Sequence, residues 1–332
     1  MKPKVAIIGT GGTISSIGNG PFDILDYIAR GNMLQVDELI ARFPEVHECA
    51  DIIPVRFRAV PSPNITFADW QGLVLLIDEL VAAHPDLAGI VITHGTATLE
   101  ETAYFLSLTT KVAIPIVLVG AQRPASALST DAGMNLANAI RTAASPEARG
   151  LGTLVVLNDE IHAAREVTKT STTRLQTFRS PDFGVLGHAD GDAVVFYRKP
   201  VRTVAPDTEF DIRALDALPR VDIVYAYAGS DGTAARAFVE AGAKGIVSAA
   251  FAPGMTGEAD GAVLADGVKS HGITVVISTR AGSGRTFKGA RHTENGFLIA
   301  DNLNPQKARI LLALALTVTR EPAEIERMFR TY

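Results

Sequence analysis

Apolar runs of strand length near residues 4–9, 88–93, 115–120 and 153–158 alternate with helical patterns near 66–83, 98–110 and 131–144. This alternation constrains the fold more than any other feature. Near-continuous apolar strands separated by helices are buried on both faces, which predicts a parallel sheet with helices on each side. Arg198 to Pro219 breaks the pattern with Pro200, Pro206, Pro219 and mixed charges, and reads as a linker. A second strand–helix series follows, with strands at 222–227, 245–249 and 273–277, a helix from Thr233 and another near 258–271. Asn304 and Pro305 have the types favoured at an N-cap and at the first helical position, so they start a further helix. The fold class predicted is α/β: a larger N-terminal, mainly parallel α/β domain over 1–197, a linker over 198–219, and a smaller flavodoxin-like C-terminal α/β domain over 220–332.

An open α/β sheet does its chemistry in the crevice beyond the carboxyl ends of its strands. The first strand runs into such a position with Gly9, Thr10, Gly11, Gly12, Thr13 and Ile14. Glycines let the backbone take φ > 0 and let a ligand approach closely. Gly9 and Gly11 fit a dinucleotide fingerprint, but Ile14 stands where its last glycine belongs, so the turn alone leaves a nucleotide site and a hydroxyl site both open. A second strand ends in Thr93, His94, Gly95, Thr96, Ala97 and Thr98, with Glu100 and Glu101 in the first turn of the helix that follows. Acidic residues there also serve simply as a helix start. Lys169 lies among hydroxyls in Thr168-Lys-Thr-Ser171; alone it reads as a surface charge, beside threonines as a cation or, if desolvated, a base.

Taken together, these motifs resemble the bacterial-type L-asparaginase family, two-domain amidohydrolases with a threonine nucleophile. The resemblance runs from Val5 to Tyr332 and includes Thr10-Gly-Gly-Thr-Ile14, Ile92-Thr-His-Gly-Thr96, Glu100-Glu-Thr-Ala-Tyr-Phe105, Val119-Gly-Ala-Gln-Arg-Pro124, Val167-Thr-Lys-Thr170 and Asn302-Leu-Asn-Pro-Gln-Lys-Ala-Arg309. The resemblance implies that Thr13 attacks the amide carbon and forms an acyl-enzyme, helped by Tyr27 on the loop after the first strand. It makes Thr96 and Lys169 the second half of the site, and it gives Ser62 the substrate carboxylate. Backbone N–H groups of the two glycine turns, around Gly12 and Gly95, are natural oxyanion donors. It also implies a homotetramer whose sites are completed by a neighbouring subunit.

The departures from the family pattern concern one part of the substrate. Ala97 stands where the family has the aspartate that binds the α-amino group, and Pro63 stands where glutamine usually follows the serine. Pro253 replaces a turn asparagine, and Arg291 falls near a glutamate that approaches the amino group. Lys169 also loses the aspartate as a neighbour. Hydrogen bonds to a charged ammonium are worth about 1.5–3 kcal/mol each. Losing two carboxylate partners and gaining a cation near them costs several kcal/mol, and at ~1.4 kcal/mol per tenfold this removes about 10³ or more of selectivity for an α-amino acid. Two substrates follow: L-asparagine, going to L-aspartate and ammonia, or a small carboxylated amide, cyclic imide or lactam without the free ammonium. A catalytically inactive ligand-binding homologue is the reading from another class, disfavoured by retention of Thr13, Thr96 and Lys169.

Composition fits a soluble small-molecule enzyme. At 332 residues, 47% hydrophobic and 20% charged, the chain can bury a substantial core. The net charge of −5 and the lack of a basic stripe argue against nucleic acid as partner. The single cysteine, Cys49, excludes an intrachain disulfide. No signal-type apolar segment precedes Val5, and Ile310 to Leu316 falls far short of a bilayer span, so a cytoplasmic protein without membrane contact is expected. The seven histidines form no i, i+4 pair, so neither a metal nor another cofactor is expected; His94 is read as ordering its turn.

Overall fold

A computed structural model describes residues 2–332, which form two compact units that divide between Arg213 and Ala214. In the first unit the strands are β1 (Lys4–Gly9), β2 (Asp51–Arg56), β3 (Leu87–Thr93), β4 (Ile116–Val119), β5 (Thr153–Leu157), β6 (Glu160–Ala163), β7 (Thr168–Lys169), β8 (Phe178–Arg179), β9 (Gly187–Ala189) and β10 (Val194–Phe196). Its helices are α1 (Tyr27–Arg30), α2 (Val36–Arg42), α3 (Phe67–Ala83), α4 (Leu99–Thr109) and α5 (Ala132–Ala144). An eight-stranded sheet has the order β10-β9-β6-β5-β4-β3-β1-β2. Pairing is parallel from β2 to β5 and antiparallel from β5 through β6 and β9 to β10. The predicted mainly parallel sheet is therefore present, with an antiparallel margin.

The central strands are apolar throughout because both their faces are covered. Every residue of β4 and β5 is buried. On one face Val5, Ile7, Val91 and Val117 pack with Leu39 and Ile40 of α2 and with Leu136 and Ile140 of α5. Helix α3 begins with a capping box: Thr66 N–H donates to Asp69 Oδ2 at 2.8 Å and Asp69 N–H to Thr66 Oγ1 at 3.4 Å. It carries Trp70, which stacks on Phe105 of α4 with ring centroids 4.5 Å apart. Residues 198–213, the proline-rich stretch, follow α4: Ala205 N–H donates to Ser107 O at 2.8 Å, and Phe210 and Ile212 are fully buried.

The second unit holds β11 (Val221–Tyr225), β12 (Gly245–Ala250), β13 (Thr274–Thr279) and β14 (Leu298–Ile299) in one parallel sheet of that order. Its helices are α6 (Thr233–Glu240), α7 (Glu258–His271), α8 (Ala290–Glu294), α9 (Pro305–Val318) and α10 (Pro322–Thr331). Asn304 caps α9 as its sequence predicts, its side chain accepting from Lys307 N–H at 3.1 Å, with Pro305 in the first turn. Among the described residues no helix is long and apolar enough to cross a membrane.

What positions the site is register. Gly9 pairs with Thr93 and Thr93 with Val119, so β1, β3 and β4 end level with one another. The turns that follow them leave the sheet side by side.

Candidate active site

The turn after β1 is tied to β3 before it reaches Thr13. Thr10 donates twice to Thr93 O, through its N–H at 3.1 Å and its hydroxyl at 2.7 Å. Gly11 and Gly12 then take φ of +92° and +87°. A Cβ on Gly12 would lie 2.3 Å from both the nitrogen and the Cα of Gly95, so the β1 and β3 turns touch backbone to backbone and only glycine fits between them. Thr13 opens a one-turn 3-10 helix, Thr13–Ser15. Its Oγ1 lies 2.9 Å from the phenol oxygen of Tyr27, which is only 7% exposed. Tyr27 is brought in by the loop after β1, pinned by Gly18 N–H to Ser126 Oγ and by Leu128 N–H to Pro21 O, each 2.8 Å.

The β3 turn is held from behind by a one-way hydrogen-bond chain. The Trp70 indole N–H donates to Thr102 Oγ1 at 2.9 Å, and Thr102 Oγ1 lies 2.9 Å from His94 Nε2. His94 Nδ1 lies 2.8 Å from Gly95 O. A carbonyl only accepts, so the proton sits on Nδ1 and Nε2 takes the Thr102 hydroxyl hydrogen. Full burial drives the His94 pKa down to about 4, against a partial pull upward from the Gly95 carbonyl, so the ring is neutral at physiological pH. The chain fixes the Gly95–Thr96 peptide, which bears out His94 as the residue that orders this turn.

Lys169 closes the site from the β7–β8 hairpin and donates from Nζ to Thr96 Oγ1 at 2.7 Å. The lysine is half-buried. Desolvation lowers its pKa from the ordinary 10.5, and attraction to Glu100 offsets that only in part. Glu100, itself buried, is held by the Lys169 backbone N–H at 3.2 Å and the Thr168 hydroxyl at 3.1 Å. Glu100 thus supports the hairpin as well as starting a helix, and it supplies the carboxylate near Lys169 that Ala97 cannot. Two hydroxyl pairs result: Thr13 with Tyr27, and Thr96 with Lys169. In each, a neighbouring group stands where it can take or return the hydroxyl proton.

Both pairs open into one cavity of about 680 Å³. Its walls include Gly12, Thr13, Tyr27, Ser62, Pro63, Gly95, Thr96, Ala97 and Lys169, so nine of the ten residues singled out from the sequence converge there. Ser62 is buried, its carbonyl accepting from the Thr98 hydroxyl at 2.9 Å, which joins the Ser62 turn to the β3 turn. The tenth residue, Arg291, is exposed on α8 of the second unit. Pro253 is also exposed in that unit, in the turn after β12.

Sequence reasoning gave no role to several residues of the wall, among them Gln122, Arg123 and residues 172–175. Gln122 and Arg123 come from the turn after β4, where Asp131 accepts both of their backbone N–H groups at 2.9 Å. Residues 172–175 come from the β7–β8 hairpin. The signal for Gln122 was available, since it follows a strand end in the same way as Thr13 and Thr96. The charged side chains of the wall are Arg123, Lys169 and Arg174, and no aspartate or glutamate lines it among the described residues. Among those residues Gln122 Nε2 is buried without a hydrogen-bond partner, a condition that costs about 1–3 kcal/mol. No group of three His, Cys, Asp or Glu among them could hold a metal ion.

Comparison with known proteins gives the same reading over the whole chain. Residues 4–202 match the family described as "Asparaginase, N-terminal", and residues 220–329 match "Glutaminase/Asparaginase C-terminal domain". The chain is 42% identical to L-asparaginase 2 of Bacillus subtilis (strain 168), covering 99% of this chain and 87% of that protein. It is 38% identical to L-asparaginase 2 of Escherichia coli (strain K12), covering 99% and 93%. A crystal structure of a probable cytoplasmic L-asparaginase from Campylobacter jejuni superposes with a TM-score of 0.94 at 40% identity, over 100% of both chains. Level strand ends, paired threonines and full-length similarity agree: the chain belongs to the asparaginase family and is an asparaginase-type amidohydrolase acting on carbon–nitrogen bonds.

Proposed function

We propose that the protein hydrolyses a small carboxylated amide with Thr13 as nucleophile, and that its preferred substrate lacks a free α-ammonium group. Thr13 Oγ1 attacks the amide carbon while its proton passes toward Tyr27, and backbone N–H groups of the Gly12 and Gly95 turns face the oxyanion that develops. Collapse of this intermediate breaks the C–N bond, and the leaving nitrogen takes the proton that Thr13 gave up, relayed through Tyr27, and departs as ammonia. The resulting Thr13 ester is cleaved by water, whose proton Lys169 accepts through Thr96. Lowering of the Lys169 pKa by burial supports that role, because a less basic lysine is more readily neutral.

The observation that carries the substrate preference is the charge of the cavity wall: two arginines, a lysine and, among the described residues, no carboxylate. An anionic end is welcome there and an ammonium has no counter-charge. L-asparagine is the amide named in relatives at 38–42% identity, and it is the competing substrate. Ammonia release from L-asparagine and succinamate, with opening of succinimide to succinamate followed separately because that step frees no ammonia, compares the two directly. The reading expects succinamate or succinimide to exceed asparagine in kcat/KM; efficient turnover of asparagine with little of the others overturns it. Thr13→Ala, measured on the best substrate, separates this reading from a ligand-binding protein without catalysis.

The reading includes a cytoplasmic homotetramer. A single cysteine and likeness to a probable cytoplasmic L-asparaginase support the location, although a Haemophilus influenzae relative is named periplasmic. In the second unit Tyr225, Tyr227, Met255 and Phe287 are each more than half exposed around the carboxyl ends of the strands, which supports self-association. Light scattering with activity across a dilution series tests it. Proportional activity from a proven monomer refutes a shared site.

A further inference from the structure

We propose that His162 is a positioning residue for Lys169, acting through the hydroxyl of Ser180. This rests on the reading of Lys169 as the group that accepts the proton of the attacking water.

The need for such a tie follows from the size of the hairpin. Strands β7 and β8 have two residues each, pairing Thr168 with Arg179 and Lys169 with Phe178, and they form a sheet of their own apart from the eight-stranded one. An isolated two-stranded ribbon is marginally stable in water, so contacts outside it must fix where Lys169 stands. The two arms move together, because Thr177 joins them: Thr170 N–H donates to Thr177 O at 2.7 Å and Ser171 N–H to Thr177 Oγ1 at 3.0 Å. Glu100 holds the β7 arm through Lys169 N–H and the Thr168 hydroxyl.

The β8 arm is held by His162. This residue lies in β6 of the main sheet, opposite Val155 of β5, and is fully buried. Its Nδ1 is 3.1 Å from Oγ of Ser180, the buried residue that directly follows β8. Its Nε2 faces Glu160 Oε2 at 3.4 Å without the alignment of a hydrogen bond. A carboxylate only accepts, so in the neutral ring the proton sits on Nε2 and Nδ1 accepts the Ser180 hydroxyl hydrogen. A second link from β6 to this arm, Gln176 Nε2 to Glu160 Oε1, is 3.4 Å long and exposed. The His162–Ser180 bond is shorter and shielded from water, which makes it the stronger of the two. Ser180 stands two residues beyond Phe178, the cross-strand partner of Lys169.

Losing this tie keeps the lysine but loosens its ribbon. The 2.7 Å contact of Nζ with Thr96 Oγ1 is then made less often, and Nζ gains water, which relieves the desolvation that lowers its pKa. Glu100 of α4 and, on the cavity wall, Arg123, Arg174 and Tyr27 are the other charged or titratable groups near Lys169, and none is altered by removing the tie. Neither His162 nor Ser180 lines the cavity, so substrate binding is spared.

The test compares Ser180→Ala, His162→Leu and the double variant with the native enzyme on its best amide substrate. In each, kcat should fall about tenfold or more while KM stays within about threefold, since a 1 Å misplacement at a reacting group costs up to about 100-fold. The rising pH limb of kcat should move upward, toward 10.5. Both single variants remove the same bond, so the double variant should lose no more than the weaker single one. Thermal unfolding checks that each is folded, and Ser180→Ala, the milder change, decides the matter if His162→Leu is not. A folded Ser180→Ala enzyme with native kcat and limb overturns the assignment. So do additive losses in the double variant, or a lower melting temperature with an unmoved limb. A limb that persists in Lys169→Met overturns the reading of Lys169 instead, so the two failures are distinct.

Discussion

Ala97→Asp puts the substrate argument to a direct trial. Ala97 is exposed on the cavity wall and adjoins Thr96, whose hydroxyl receives the Lys169 amine at 2.7 Å. A carboxylate there supplies what the wall lacks. A charge-assisted hydrogen bond to a substrate ammonium is worth about 1.5–3 kcal/mol, and ~1.4 kcal/mol is tenfold, so asparagine should gain about 10- to 100-fold over succinamate in kcat/KM. The same carboxylate also opposes desolvation of Lys169, so the lysine pKa should rise and the pH limb that depends on it should move upward. Ammonia release across pH gives both quantities from one set of rates, and thermal unfolding confirms that the variant is folded. A folded variant whose asparagine-to-succinamate ratio stays within about threefold of the native enzyme would falsify the claim that the missing carboxylate sets the preference.

Three further outcomes follow from other contacts. Thr102→Val removes the hydroxyl that links Trp70 to His94 and leaves two buried polar groups unpaired; at about 1–3 kcal/mol each, stability should fall by roughly 2–6 kcal/mol. Thr102→Ser should recover most of that in denaturant unfolding, and equal losses for both variants would remove the chain's role. His94 has a folded-state pKa of about 4 against an ordinary 6.5, so its contribution is complete above pH 6.5 and drains away as pH falls toward 4, amounting to about 3 kcal/mol. Unfolding measured at pH 7.5 and pH 4 should show a steeper loss in the native protein than in His94→Gln; parallel losses contradict a buried neutral ring. Burial lowers the Lys169 pKa from 10.5, so kcat should rise along a limb centred below that value, and Lys169→Met should abolish the limb with a large loss of rate. An unchanged limb in Lys169→Met assigns the titration to another group.

The principal elements were legible in the sequence because their patterns are long. Helices α3, α4 and α5 lie within a residue or so of their apolar periods, and Asn304 and Pro305 start α9 where their side chains dictate. Strand β2 was not legible, since it is an edge strand with Pro54 inside it and no fully buried residue. Nor were β6, β9 and β10, each three or four residues long, too short for a period to register.

At the site, the sequence by itself singled out the candidate residues: a threonine in a glycine turn, a second threonine turn, and a lysine among hydroxyls, with Ala97 and Pro63 as departures from the family pattern. Those are matters of residue type and local spacing. Only tertiary structure decided that β1, β3 and β4 end level, that Thr13 meets Tyr27 and Thr96 meets Lys169, and that a histidine buried behind the second turn is neutral. Only it showed Glu100 beneath the lysine and an unmet amide donor on Gln122 in the cavity wall. The reason is physical: hydrogen-bond partners 73 residues apart, as Lys169 and Thr96 are, and the desolvation that sets a pKa depend on how the chain packs in space, which no local pattern encodes.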